Sequence, residues 1–164
     1  MGLAEADRAL LVLARTRGHT AWAERTLATY SLLGEHGAAW LALGIIGAVI
    51  TRDPDRRRAW LRGARTVAIS YALNQALKFT VRRRRPDLPE LPPLTSTVSE
   101  LSFPSAHATT SFAGAWVYAA LAPRTPLYAA AAAIALTRPY LGVHYPSDVI
   151  AGALLGTLVA ATTP

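Results

Sequence analysis

The chain has 164 residues, a formal net charge of +7, no cysteine, and 52% hydrophobic residues. The length suits one domain, and the missing cysteines exclude disulfides and thiolate metal sites. So apolar a composition points to a membrane protein, and the positive balance suits anionic lipid headgroups or phosphate. Nucleic acid is disfavoured as a partner, because the arginines flank apolar runs instead of forming one stripe.

Ala4 to Arg15 reads as an amphipathic helix. Its apolar part is too short for a signal peptide, so it is expected to lie in the membrane interface. Gly18 ends it. Ala21 to Leu33 is helical by pattern and leads to Gly34-Glu35-His36-Gly37. The first span, about Ala38 to Thr51, is short against the ~20 residues a bilayer needs. It borrows turns from about Leu27, which puts Glu35 and His36 near the membrane edge. Glu35 there is either an interfacial cap or a partner of the site.

Arg52 to Arg58, with Pro54, is expected to be a basic loop. A second span runs from about Trp60 to Val81. Arg62 and Arg65 can snorkel to the near surface, while Asn74 and Gln75 should face other helices. Its end delivers Lys78 and the run Arg82 to Arg85, of which the first three read as a charged collar. Asp87 to Phe103 holds Pro89, Pro92 and Pro93 and is a loop, either a connector or a cover.

The third span runs from Ser105 to about Leu121, and Pro123, Arg124 and Pro126 mark a turn. The fourth is roughly Leu127 to Thr137, extending to Leu141, and the fifth is Pro146 to about Ala161. Gly152 and Gly156 form a small-xxx-small pair that permits close packing. The expected fold is all-α: an integral membrane helical bundle of about five transmembrane helices with an N-terminal amphipathic interfacial helix. It is read as one domain over 1–164, with 1–35 interfacial and 36–164 the transmembrane core.

The span order carries a chemical consequence. The second span ends at Lys78 to Arg85, the third starts at Ser105, the fourth ends at Arg138, and the fifth follows His144. Alternating directions put these four ends on one membrane face. Pro104-Ser105 opens a helix whose free N–H groups and dipole make an anion seat, although serine there ordinarily only caps. Lys78 (the one lysine among 17 basic residues), Arg85 and Arg138 supply three cations for phosphoryl oxygens. Asp148, in a first helical turn, can reach back to His144 and fix its tautomer, or it can simply cap the helix. His107, one turn into the third span, is placed as a general acid.

These residues fall into Lys78-x6-Arg85-Pro86, Pro104-Ser105-Ala106-His107 and Arg138-x5-His144-x3-Asp148. In that order they resemble the tripartite signature of the type 2 phosphatidic acid phosphatase (PAP2) superfamily, K-x6-RP, PSGH and SR-x5-H-x3-D. Ala106 stands in place of its glycine and Thr137 in place of its serine. The resemblance covers Lys78 to Asp148. It implies His144 as nucleophile through a phosphohistidine, Asp148 as its orienter and His107 as acid and base. It also implies Lys78, Arg85, Ser105 and Arg138 as phosphate ligands, Ala106 contributing its backbone N–H, and no metal or cofactor.

Gly34 to Leu41 and Glu100 to Thr109 are similar to the short actinobacterial members of that family. Those are assigned to removing the 5-phosphate of decaprenylphosphoryl-5-phosphoribose, in arabinan precursor synthesis. The implied partners are a lipid-linked phosphate substrate and membrane lipids, in a multi-pass protein of the cell membrane; homo-oligomerisation stays open. Glu35, His36, Asn74 and Gln75 are candidates for the headgroup. The rivals are a generalist phosphatidate or prenyl diphosphate phosphatase, a vanadate-dependent haloperoxidase, and a non-catalytic lipid-phosphate-binding membrane protein. Short, hydrophobic sequence argues against the second. The complete set of charged and titratable motif residues argues against the third. Outside the motifs, seven basic residues fall on each face, so the positive-inside rule leaves orientation open.

Overall fold

The computed structural model describes residues 2–163, and among these all regular structure is helical. The helices are α1 (Leu3–Thr16), α2 (Ala21–Ser31), α3 (Ala38–Ile50), α4 (Pro54–Val81), α5 (Ala106–Tyr118), α6 (Arg124–Tyr140) and α7 (Pro146–Thr162), with a 3-10 stretch, Leu32–Gly37, between α2 and α3.

Local chemistry sets the ends. Glu5 accepts from the Gly2 N–H at 2.8 Å and opens α1. Thr20 Oγ1 accepts from the Ala23 N–H at 3.1 Å and opens α2. Asp53 Oδ1 accepts from the Asp55 and Arg56 N–H groups at 2.8 and 3.0 Å, with Pro54 at the first helical position. That combination of cap and N1 proline starts a helix. The expected basic loop over Arg52 to Arg58 is therefore confined to Thr51–Asp53, and Arg56 to Arg58 are helical. Likewise Pro126 lies in the first turn of α6, so the predicted turn is shorter than expected.

Residues 21–50 form the one run among those described that is long and apolar enough to cross a membrane; Pro146–Thr162 is a shorter apolar helix. The run is broken at its middle, where Glu35 leaves helical ψ, and His36 and Gly37 adopt positive φ (50° and 72°). A side chain on Gly37 would be strained by that conformation and would press on Thr110 and Val67.

α5 is the central helix. It packs on α7, α6, α4 and α3, and its buried residues occupy nearly every face, from His107 to Tyr118. Its composition follows from this position. Alanine, glycine, serine and threonine let four neighbours approach closely, whereas the apolar bulk lies on the outer helices. Where α7 crosses, a Cβ on Gly156 would stand 2.0 Å from the Thr109 carbonyl oxygen, and one on Gly152 2.5 Å from that of Ser105. The expected small-xxx-small pair is thus a backbone-to-backbone contact. At the other end, Trp40, Trp60, Val67, Tyr118 and Ile134 form the main core cluster. Its polar atoms are satisfied: Trp40 Nε1 donates to Ser111 Oγ at 2.9 Å, and Tyr118 OH donates to the Trp40 carbonyl at 3.0 Å.

α1 packs on α6 and α7. It buries Asp7, Leu11 and Arg15, one stripe at four-residue spacing, and leaves Leu3, Leu10 and Leu13 exposed on another face. The amphipathic reading stands, but the protein-facing stripe is mostly polar. Arg15 donates to the carbonyls of Tyr140 (3.2 Å) and Pro92 (2.8 Å).

Candidate active site

At one end of the bundle a cleft of about 260 Å³ is lined by Lys78, Arg85, Ala106, His107, Arg138 and His144, with Glu35, His36, Tyr71, Gln75, Phe79 and residues 97–99 on its rim. An adjoining hollow of about 300 Å³ shares Glu35, His36, Thr97, Val98 and Arg138 with it and runs on to Ser31 and Thr95.

α4 brings Lys78 to the cleft one turn before its end, and Lys78 Nζ donates to the Leu101 carbonyl at 3.2 Å. The helix stops at Arg82, in the left-handed region (φ 55°). From there the chain is extended and pairs antiparallel, Arg84 with Leu101. The Arg85 N–H donates to the Glu100 carbonyl at 3.0 Å, and the Ser102 N–H to that of Arg83 at 2.8 Å. These bonds hold the 87–103 loop down, so that Thr97, Val98 and Ser99 form one wall; the loop is a cover and not a plain connector.

The Arg85 guanidinium is fixed by two carbonyls, Ser99 (2.7 Å) and Val143 (2.7 Å), and its Nη1 lies 3.1 Å from His144 Nε2. An arginine N–H can only donate, so Nε2 is the acceptor and the ring proton sits on Nδ1. Nε2 therefore carries a lone pair at the cleft. His144 is 2% exposed; burial first, then Arg85, Arg138 and Lys78, push its ring well below the ordinary histidine range and keep it neutral.

His144 Nδ1 is 3.6 Å from Asp148 Oδ2, longer than a hydrogen bond. That oxygen accepts from the Tyr145 N–H at 2.9 Å, and Oδ1 accepts from Arg83 Nη1 at 2.8 Å. The two readings of Asp148 coexist: it caps α7 and it faces the histidine. Across the cleft, His107 Nε2 donates to the Ser31 carbonyl at 3.1 Å, with Glu35 Oε2 3.8 Å away. Arg138 Nη1 donates to Ser31 Oγ, and its Nε is buried without a partner.

Of the residues expected at the site, Lys78, Arg85, Ala106, His107, Arg138 and His144 line one cleft, with Asp148 directly behind His144. Ser105 departs from expectation. It is fully buried off the cleft wall, its hydroxyl has no partner, and its N–H donates to the Asp148 carbonyl at 3.0 Å. Ala106, the first helical residue of α5, stands at the cleft instead. Thr137 turns its hydroxyl onto the Ile134 carbonyl at 2.6 Å, away from the cleft. Among the headgroup candidates, Asn74 is excluded: it is fully buried, and its amide donates to the Pro104 carbonyl (3.2 Å) and Thr109 Oγ1 (2.9 Å). Glu35, His36 and Gln75 remain on the rim.

Sequence reasoning missed Ser31, which holds both His107 and Arg138, and it missed Arg83, read as collar. Ser31 carries no signal in the sequence. Arg83 had one: an extended chain alternates its side chains, and if Arg85 points inward so does Arg83. Burial alternates in that way from Arg82 to Arg85.

The fold and this cleft define a class. The sequence profile of the PAP2 superfamily matches residues 59–164, and the chain belongs to that superfamily. It is 41% identical over 131 residues to the decaprenylphosphoryl-5-phosphoribose phosphatase of Mycobacterium tuberculosis strain H37Rv, covering 80% of this chain and 73% of that one. It is 42% identical over 125 residues to the protein of the same name from Mycolicibacterium smegmatis, covering 74% and 67%. Its structure is similar to that of a PAP2-type phosphatidylglycerolphosphate phosphatase from Bacillus subtilis, at a TM-score of 0.81 and 25% identity, covering 98% of this chain and 84% of that one.

Proposed function

We propose that this chain is a membrane-embedded phosphatase acting on a lipid-linked phosphate, and that its substrate is decaprenylphosphoryl-5-phosphoribose. The observation that carries the reaction class is the cleft itself, where three cations surround the unprotonated Nε2 of a buried histidine. The mycobacterial relatives support the substrate.

The phosphoryl group enters between Lys78, Arg85 and Arg138, against the first turn of α5, whose N–H groups face an anion at Ala106. His144 Nε2 attacks phosphorus as the bond to the sugar 5-oxygen breaks, and protonated His107 gives that oxygen its proton. The N–P bond leaves the His144 ring cationic, and Asp148 stabilises it. Water then attacks the phosphohistidine, His107 takes the water's proton, inorganic phosphate leaves, and Nε2 regains its lone pair. The three cations supply the charge that a metal brings elsewhere. The ribose would occupy the adjoining hollow, where Glu35 and His36 can bind its hydroxyls, with Gln75 on the rim of the neighbouring cleft.

Multi-pass insertion of α3 to α7 is part of this proposal. It is supported by outward apolar stripes at helical spacing: Ile45, Ile46, Val49 and Ile50 on α3; Ile69, Leu73 and Leu77 on α4; Ile150, Leu154 and Leu158 on α7. Such contiguous exposed bulk calls for a lipid environment.

Purified protein in detergent, given the ribose lipid, phosphatidate and a prenyl diphosphate, tests the assignment. The expected result is a kcat/KM for the ribose lipid at least about tenfold above the other two, a difference of ~1.4 kcal/mol. Comparable values across all three refute the narrow substrate; no release from any refutes the phosphatase.

A further inference from the structure

We infer that Asp7, on the N-terminal helix, is a positioning residue for this site: acting through Arg83 and through the first turn of α7, it sets the Asp148 carboxylate against His144.

The geometry is a chain of short bonds. Asp7 Oδ2 accepts from Arg83 Nη2 at 2.7 Å, and Arg83 Nη1 donates to Asp148 Oδ1 at 2.8 Å and to Ser147 Oγ at 2.7 Å. The guanidinium lies over the Tyr145 ring, 4.1 Å from its centroid. Asp7 also grips the backbone that carries Asp148. Its Oδ1 accepts from the Ser147 N–H at 2.9 Å, and its Oδ2 from Ser147 Oγ at 2.5 Å. Ser147 is the second residue of α7, so Asp7 caps from another element a helix end that leaves N–H groups unpaired.

Two consequences follow for His144. A guanidinium held by one carboxylate can pivot; held by two on its separate nitrogens and stacked on a ring, it cannot. Asp148 Oδ1 is thereby fixed, which leaves Oδ2 toward His144 Nδ1 at 3.6 Å. The first turn of α7, and with it the Cα of Asp148, is pinned by the Ser147 bonds. Asp7 is 4% exposed. Burial pushes its carboxyl up, but hydrogen bonds from Ser147 and Arg83 more than offset this and hold it below the ordinary range. A buried carboxylate this well engaged is costly to place unless its partners are fixed in return. Asp7 lies outside the span matched by the family profile, 59–164.

The plain alternative is that Asp7 merely docks α1. Arg15 separates the two, because it anchors the same helix through the Tyr140 and Pro92 carbonyls without touching the Asp148 network. The kinetic arm of the test rests on the phosphatase reading above, so a second arm does not use turnover.

Asp7→Asn, Asp7→Glu, Arg15→Ala, Arg83→Lys and the Asp7→Asn/Arg83→Lys double variant would be purified in detergent and assayed on a phosphomonoester. Asp7→Asn is expected to lower kcat about ten- to a hundredfold, with KM within about twofold, as small misplacements of catalytic groups do. Asp7→Glu should recover part of the loss. On the Arg83→Lys background, Asp7→Asn should cost less than it does in the otherwise wild-type chain, since the route through Arg83 is already cut and only the route through Ser147 is left to lose. Arg15→Ala should lower the melting temperature while kcat stays within about threefold. In parallel, 15N-histidine spectra, with His144 assigned by its loss in His144→Gln, should show the His144 ring signals shifted in Asp7→Asn and unmoved in Arg15→Ala.

Unchanged kcat and unchanged His144 signals in Asp7→Asn overturn the inference, as does an equal loss of kcat in Arg15→Ala. A wild-type chain inert on every phosphomonoester sinks the phosphatase reading, and the His144 signals alone then decide the role of Asp7.

Discussion

His144 and His107 are both buried histidines on one cleft, yet their hydrogen bonds differ in kind. His144 receives a bond from Arg85 at Nε2, whereas His107 gives one from Nε2 to the Ser31 carbonyl. The first is poised to supply electrons and the second to handle a proton, and the two should respond differently to the substrate. His144→Ala should lower kcat by about 10³-fold or more on any phosphomonoester, since the proposed nucleophile is gone. His107→Ala should slow an alkyl phosphate by roughly 10²- to 10⁴-fold and nitrophenyl phosphate far less, because only the poor leaving group needs protonation. Equal losses on both substrates would remove His107 from the acid role. The titratable residues of the site were legible in the sequence because their spacing is local. The contacts among them were not. That Ser31 would hold His107, or that the fourth arginine of a run and the second would serve one histidine, depends on where backbones 76 and 59 positions away come to rest.

Among the elements, α5 equals α3 in length, at 13 residues, and both are shorter than α4, α6 and α7; it joins the anion seat at Ala106 to the Trp40 and Tyr118 core. α7 lies so close along it that a methyl group at Gly156 has no space. Gly156→Ala should therefore cost about 1–3 kcal/mol or more of stability, as overpacking does, and should lower activity by pushing Asp148 away from Ser105. Leu154→Ala, on the exposed stripe two residues before, should change the detergent melting temperature little. Similar melting for both variants would argue against the tight crossing. The helices themselves were readable from apolar periodicity, and the small-residue pair from its spacing. Their starts were less so. By pattern Pro54 falls in a basic loop and Pro126 in a turn, yet proline in a first turn has no N–H to lose there, and Asp53 completes the signal for a helix at Pro54.

For the whole molecule, the structure takes arginines out of the charge arithmetic on both faces. Arg15 and Arg83 are engaged inside the protein on the site's side. On the other, Arg56 donates to the Leu121 carbonyl at 3.3 Å and Arg58 to Asp55 Oδ1 at 2.5 Å. The balance that leaves orientation open therefore stands. Of two cysteines placed at Ser96 and at Arg57, in this cysteine-free chain, one should react with an impermeant maleimide in intact cells and the other only after permeabilisation. Reaction at Ser96 in intact cells would place the cleft outside, reaction at Arg57 would place it in the cytoplasm, and reaction at both would refute the two-face arrangement.

The bond from the Ser105 N–H to the Asp148 carbonyl ties the start of α5 to the first turn of α7, across 43 residues of sequence in which α6 must be laid down first. On the proposed mechanism and insertion, a partly threaded chain has no catalytic centre: His144 arrives with the last helix, and its partners come from helices laid down before it. Turnover would in this sense be a proofreading signal, a single enzymatic assay reporting that the polypeptide has been threaded and assembled in its intended order.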